Sequence, residues 1–250
     1  MSVALREGAA EDVRAAADRM AVFLSRFIRD GELVFHGVAS PLPMAAVVMA
    51  RNTHAPNLTY LNIPGGVDPK PSHLPGSTVA RQLMEGALSY FTLTEIFDLS
   101  ARGKLDLAFL GGAQIDARGD MNLSFIGDPA SPKVRLPGGA GSAHILPTAG
   151  RTVLWRTVHD ARSFPERCDF VTASGNVEAV VTPLCIFKKA EGRLRVKSIH
   201  QGVTADALRA ATGFDLGDLE QTPTTPEPTD AERVALHAAD PEGVRQREFI

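Results

Sequence analysis

Between Glu11 and Ile28 the apolar residues Val13, Ala16, Met20, Phe23, Leu24 and Phe27 recur at spacings of three and four, which places them on one face of a helix. Gly31 ends that pattern. A short apolar run at 33–35 reads as a strand running into Gly37. Ser40 and Pro41 then supply an N-cap and a proline at the first helical position, predicting a helix to about Arg51. Ala55-Pro56 breaks the chain again. Residues 58–63 read as a second buried strand, and the Gly- and Pro-rich stretch 64–76 as a loop long enough to carry function. Thr92 with Glu95 has capping-box spacing, so a helix is expected over 93–101, followed by a continuous apolar strand at 105–110.

This alternation predicts an α/β fold with parallel β-α-β units, in which ligands bind at the carboxyl ends of the strands. The second half carries more strand, at 152–155, 169–172, 179–187 and 194–199, and then a helix capped by Thr204. The run TPTTPEPTD at 222–230 reads as an extended linker before a polar helix at 231–238. The expected division is therefore one α/β domain over 1–221 and a linker with a helical arm over 222–250.

With 250 residues, 44% of them hydrophobic, the chain can bury a full core. A net charge of −3 supplies no basic field for a phosphate backbone or an anionic membrane surface, so nucleic-acid and membrane partners are disfavoured. The first twenty residues are polar and acidic, and no apolar run reaches the roughly 18 residues of a membrane span. The expected location is the cytoplasm. Cys168 and Cys185 lack a CxxC pattern and read as small buried hydrophobes. No two of the seven histidines have metal-ligand spacing, so no metal site is expected.

Candidate chemistry concentrates in glycines. Gly111-Gly112-Ala113-Gln114-Ile115-Asp116 follows a buried strand, and Pro137-Gly138-Gly139-Ala140-Gly141-Ser142 forms a second cluster. Read by themselves these are either tight turns or anion-binding loops, since successive amides in such turns can hold an oxyanion. No phosphate-loop signature accompanies them. The longer pattern Gly111 to Asp116, Gly119, Asn122, Ile126-Gly127-Asp128, Pro132-Lys133, Arg135 and Gly138-Gly139-Ala140 resembles the β subunits of class I CoA-transferases, above all those of the glutaconate type. Ala55-Pro56 and Thr212-Gly213-Phe214-Asp215-Leu216 extend the likeness over most of the chain.

The resemblance implies a class I CoA-transferase-like open sheet with flanking helices and an α-type partner subunit. It also implies an acyl-CoA thioester as substrate and no tightly bound cofactor. Gly139 and Ala140 would form the oxyanion hole, and Gly37, Asn62, Gly111, Gly112, Gln114, Gly138 and Gly141 would line the thioester site. In that family a glutamate at the end of the strand after the Ala-Pro pair attacks the thioester. Counted from Ala55-Pro56, that position is Ile63, with no carboxylate nearer than Asp68. Two altered groups resemble this chain. Steroid-ring CoA hydrolases lack the β-subunit glutamate and share a segment similar to His200-Gln201-Gly202-Val203-Thr204. Glutaconyl-CoA decarboxylases resemble the segments 37–42 and 53–61 and carry a cysteine where Ile63 stands. Transfer, hydrolysis and decarboxylation thus stay open, as does a non-catalytic CoA-binding role.

Other residues have two readings each. His36, at a strand end, is an acid or base near pH 7 or a hydrogen-bonded wall residue. Gln114 is a substrate contact or a strand-end cap. Lys133 and Arg135 meet CoA phosphates or lie on a solvated turn.

Overall fold

The computed structural model describes residues 8–249, with side chains described from Val13 onward. Five strands run parallel in the order β11 (Val177–Val181), β10 (Arg151–Trp155), β5 (Leu107–Gly111), β1 (Leu33–His36) and β2 (Thr59–Leu61). Antiparallel strands extend both ends to nine: β12 (Cys185–Ala190) and β13 (Arg193–Ile199) beyond β11, and β3 (Gly66–Val67) and β4 (Ser89–Tyr90) beyond β2. Two small ribbons, β6 (Gln114–Ile115) with β7 (Met121–Asn122) and β8 (Phe125–Asp128) with β9 (Ser131–Arg135), stand outside this sheet.

The near-continuous apolar strands are explained by helices on both faces. Val34, Leu107, Phe109, Val153, Trp155, Ala179 and Val181 point into one core with α1 (Gly8–Ser25) and α2 (Pro41–Arg51). Their neighbours Phe35, Ala108, Leu110, Leu154 and Val180 point into the other core, with α3 (Leu93–Ala101), α4 (Ser142–Thr148) and α5 (Ala205–Ala211). The helix over 93–101 has the expected capping box, in which Thr92 Oγ1 accepts from the Glu95 amide and Glu95 accepts from the Thr92 amide. At α2 the expected cap is absent: Ser40 precedes Pro41, but its hydroxyl donates to the Val38 carbonyl instead.

Two expected strands differ. Residues 169–172 are a loop, with Phe170 and Val171 exposed; it meets β7 through the Thr172 amide, which donates to the Met121 carbonyl at 2.8 Å, and the adjoining Met121–Ala173 bridge. Residues 179–187 are two strands, because Pro183 has no amide to give and Thr182 Oγ1 accepts from the Leu184 and Cys185 amides, turning the chain into a hairpin.

The expected linker is extended and pairs at Thr224 with Ile199. The helix after it, α6 (Asp230–Ala239), lies against the body, with Leu236, Ala239 and Val244 in the core beside Met20 and Val47. Its anchor is ionic. Arg245, 1% exposed, bonds Asp18 at 2.7 Å and Asp240 at 2.8 Å, and Arg26 bonds Glu232 and the carbonyls of Pro226 and Glu227. Two histidines, half-buried His159 and buried His200, tie the same region together. His159 joins Thr182 and Thr212, while His200 donates to the Thr182 carbonyl and meets Thr225 Oγ1.

Arg245→Ala leaves Asp240, itself 1% exposed, as an unpaired buried charge, so unfolding in denaturant is expected to show a loss of about 3–5 kcal/mol. A loss under about 1 kcal/mol would show that the ionic anchor is not what holds the C-terminal segment. Burial lowers the pKa of His159 and of His200 to about 4. The unfolded chain therefore takes up protons that the folded chain refuses, and stability is complete above pH 6.5 and lost as pH falls toward 4. The slope reaches about 1.4 kcal/mol per pH unit for each such histidine. A thermal midpoint that stays level from pH 7 to pH 5 would contradict this.

Candidate active site

Because five strands run parallel, their carboxyl ends share one edge of the sheet, and His36, Gly37, Asn62, Gly111 and Gly112 all fall there. The Gly37 amide donates to the Phe109 carbonyl at 2.9 Å, tying the end of β1 to β5. After it the amides of Val38 and Ala39 meet no protein acceptor among the described residues, and Ala39 sits at φ +50°. A non-glycine residue held there costs of order 1–3 kcal/mol, a strain characteristic of binding turns.

His36 is enclosed. Its Nδ1 lies 3.0 Å from the Gly37 carbonyl, which can only accept, so Nδ1 carries the proton and Nε2 accepts from the Tyr60 hydroxyl at 2.6 Å. Burial lowers its pKa to about 4 and raises that of Tyr60. With both nitrogens occupied and no solvent exposure, His36 is a neutral strut between β1 and β2, not an acid or base facing a ligand.

Asn62 is likewise committed. Its Oδ1 accepts from the Gly66 amide at 2.7 Å, its Nδ2 donates to the Leu83 carbonyl, and its carbonyl accepts from Gly65. It therefore shapes the turn and does not offer its amide to a substrate. Gly65 is obligatory in this turn: φ is +98°, and a Cβ would lie 2.2 Å from the Phe91 carbonyl oxygen. Ile63 occupies the corner, half-buried and packed with Val67 and Phe91 on the core. Asp68, the nearest acid in the loop, accepts from the Tyr60 amide and donates its own amide to the Tyr60 carbonyl, so it finishes the edge of β2.

The second glycine cluster lies between β9 and α4. The Gly138 amide donates to the Leu123 carbonyl, and the Gly139 carbonyl accepts from Ser142, but the amides of Gly139, Ala140 and Gly141 have no acceptor among the described residues. Ala140 is at φ +44°. Thr172 backs the turn: its Oγ1 accepts from the Leu123 amide, and its methyl would lie 2.6 Å from a Cβ on Gly139. Two strained turns thus present backbone amides that no acceptor among the described residues occupies.

Gln114 does not. Its Oε1 accepts from Asn122 Nδ2 at 2.8 Å and from the Asp169 amide at 3.1 Å, which makes it a brace for the 169–172 loop. Gly112 is demanded by packing, since a Cβ would lie 2.4 Å from Met121 Cγ, and Gly111 abuts the Trp155 ring. Arg135 lies over the Phe125 ring at 5.9 Å, and Lys133 is exposed on the same hairpin. Burial raises the thiol pKa of both cysteines, so neither is a thiolate nucleophile at neutral pH. Tyr60 and Thr172 are the supporting residues that the sequence did not mark. Each acts across a long separation, and no local spacing announces it.

Comparison with known proteins bears on this geometry. The sequence model described as Coenzyme A transferase matches residues 17–212. The 3-oxoadipate CoA-transferase of Pseudomonas knackmussii has a β-type chain that is 33% identical over 89% of this chain and 92% of its own length. The IpdB subunit of the cholesterol ring-cleaving hydrolase from Mycobacterium tuberculosis is 29% identical over 93% of this chain and 98% of its own. The crystal structure of the decarboxylase AibA/AibB superposes with a TM-score of 0.87 at 30% identity, covering 93% of this chain and 97% of that one. The parallel sheet, the paired glycine turns and these relatives agree: the chain belongs to the coenzyme A transferase family.

Proposed function

We propose that the chain is the β-type subunit of a heteromeric enzyme that holds an acyl-CoA thioester over the Gly37–Ser40 and Gly138–Gly141 turns, while an α-type partner supplies the attacking group. The carrying observation is Ile63. It stands at the corner after β2, where the family resemblance calls for a glutamate, and a hydrocarbon cannot form the acyl anhydride that transfer requires. Of the neighbouring candidates, Asp68 accepts from the Tyr60 amide at the edge of β2 and His36 is sealed.

The amides of Gly139 and Ala140 are uncommitted donors, and each such donor on a thioester oxyanion stabilises the transition state by about 3 kcal/mol. The reading fits hydrolysis or decarboxylation better than transfer through this subunit, with a dicarboxylic or ring-derived acyl group. Heteromeric relatives of both kinds support it, namely the cholesterol ring-cleaving hydrolase and the AibA/AibB decarboxylase. The same reading places the protein in the cytoplasm, with no nucleic-acid or membrane partner. No helix among the described residues is long and apolar enough to cross a membrane.

Incubation of the purified two-subunit complex with acyl-CoA and borohydride is expected to leave no trapped adduct on this chain. A glutamyl adduct on it, found by mass spectrometry, would sink the reading of Ile63. Gly139→Val drives a side chain against Thr172 and disturbs the turn, so kcat/KM is expected to fall about 100-fold or more with the complex still assembled by size exclusion. Unchanged turnover in an intact complex would instead make this chain a non-catalytic CoA-binding subunit.

A further inference from the structure

Glu248 lies in the last turn of the chain, Val244–Phe249, which packs on α1 and α2. Its main-chain carbonyl accepts from Thr157 Oγ1 at 2.8 Å, two residues past the end of β10. Its carboxyl oxygens are shut away from solvent, and neither has a hydrogen-bond partner among the described residues. The Leu42 amide faces this carboxyl without making a hydrogen bond to it. That amide is distinctive: Pro41 and Pro43 flank it, so it is the only N–H within the stretch 41–43 that opens α2, and Ser40 does not cap it.

Among the described residues no cation pairs with this carboxyl. In its own turn Arg245 is committed to Asp18 of α1 and to Asp240, and the Arg247 guanidinium lies against Gly76. Past β10, half-buried Arg156 makes no ion pair with it, although its Nε is shut away from solvent. The first turn of α2 carries no acid, and the α2 cation Arg51 sits at the other end, bonded to the Pro69 carbonyl. An isolated carboxylate in such a place is strongly disfavoured, so the group is seated as the neutral acid.

We propose that Glu248 is a positioning residue: as an uncharged acid it seats the C-terminal turn between the start of α2 and the end of β10, and through α2 it sets the Gly37–Ser40 turn. The placement matters for function only on the reading that the thioester binds over that turn. Seated, the carboxyl keeps its proton to about pH 9; released, it loses it from about pH 4.5. The seated state is therefore fully favoured below pH 4.5 and weakens as pH rises through this window, by up to about tenfold per unit, until about pH 9.

Hydrogen exchange over residues 37–48 of the two-subunit complex, corrected for intrinsic rates, tests the clamp from pH 6 to 9.5. Wild-type protection is expected to fall with rising pH by at least tenfold in total, Glu248→Gln to remove that slope, and Glu248→Ala to lose protection throughout. In parallel, the KM for acyl-CoA should rise with pH in the wild type while kcat changes less, and stay level in Glu248→Gln. The same slope in wild type and Glu248→Gln overturns the proposal. A slope in protection without one in KM upholds the clamp and overturns only the placement of the thioester, so the two ideas fail separately.

Discussion

Everything at the candidate site depends on five strands running the same way. Parallel pairing of β11, β10, β5, β1 and β2 brings the carboxyl ends of segments far apart in the chain to one edge, where each strand must hand over to a turn. Such a sheet is stable only with both faces covered, and the strict alternation of Val34 with Phe35, Phe109 with Leu110 and Val153 with Leu154 between two cores supplies that cover. The two strained residues nearest this chemistry, Ala39 and Ala140, sit in turns held rigidly from behind, by Phe109 and Ser40 in one case and by Leu123 and Thr172 in the other. Strain of that kind persists only where the surroundings over-determine it.

Polar groups at this edge divide sharply by how they are satisfied. His36, Asn62 and Gln114 look reactive as residue types, yet the side chain of each is bonded into the scaffold, and Asp68 Oδ1 accepts from the Tyr60 amide at the edge of β2. What the Gly37–Ser40 and Gly138–Gly141 turns leave over is backbone amides. On the proposed function, such amides would face a thioester oxyanion, and the attacking group would come from the partner subunit.

What could be read in advance follows from range. The helix over 93–101, with its capping box, and the strands at 33–35 and 105–110 are local patterns, and the structure keeps them. The glycine turns at 111 and 138 were visible for the same reason. The His36–Tyr60 bond spans 24 positions, and the contact of Thr172 with Leu123 spans 49, so neither leaves a local trace. Two-residue strands such as β3 and β4 are below the length at which period two can be seen. The apolar pair Phe170-Val171 misled in the opposite direction, because it marks an exposed loop that Gln114 braces and not a buried strand. The C-terminal helix reads as polar, but a few apolar residues and the buried Arg245 suffice to dock it.

The turn after β2 shows why an altered nucleophile need not alter the fold. Its shape is set by the Asn62 side chain bridging Gly66 and Leu83, by the positive φ of Gly65 against Phe91, and by Asp68 pairing with Tyr60. Residue 63 supplies none of these bonds. It occupies a corner whose backbone is held by its neighbours, and its side chain rests at the margin of a core that accepts an isoleucine. Chemistry at that corner is therefore uncoupled from stability. A carboxylate, a thiol or a hydrocarbon can stand there on the same frame, and on the proposed function the identity of that one side chain would decide whether this subunit or its partner attacks.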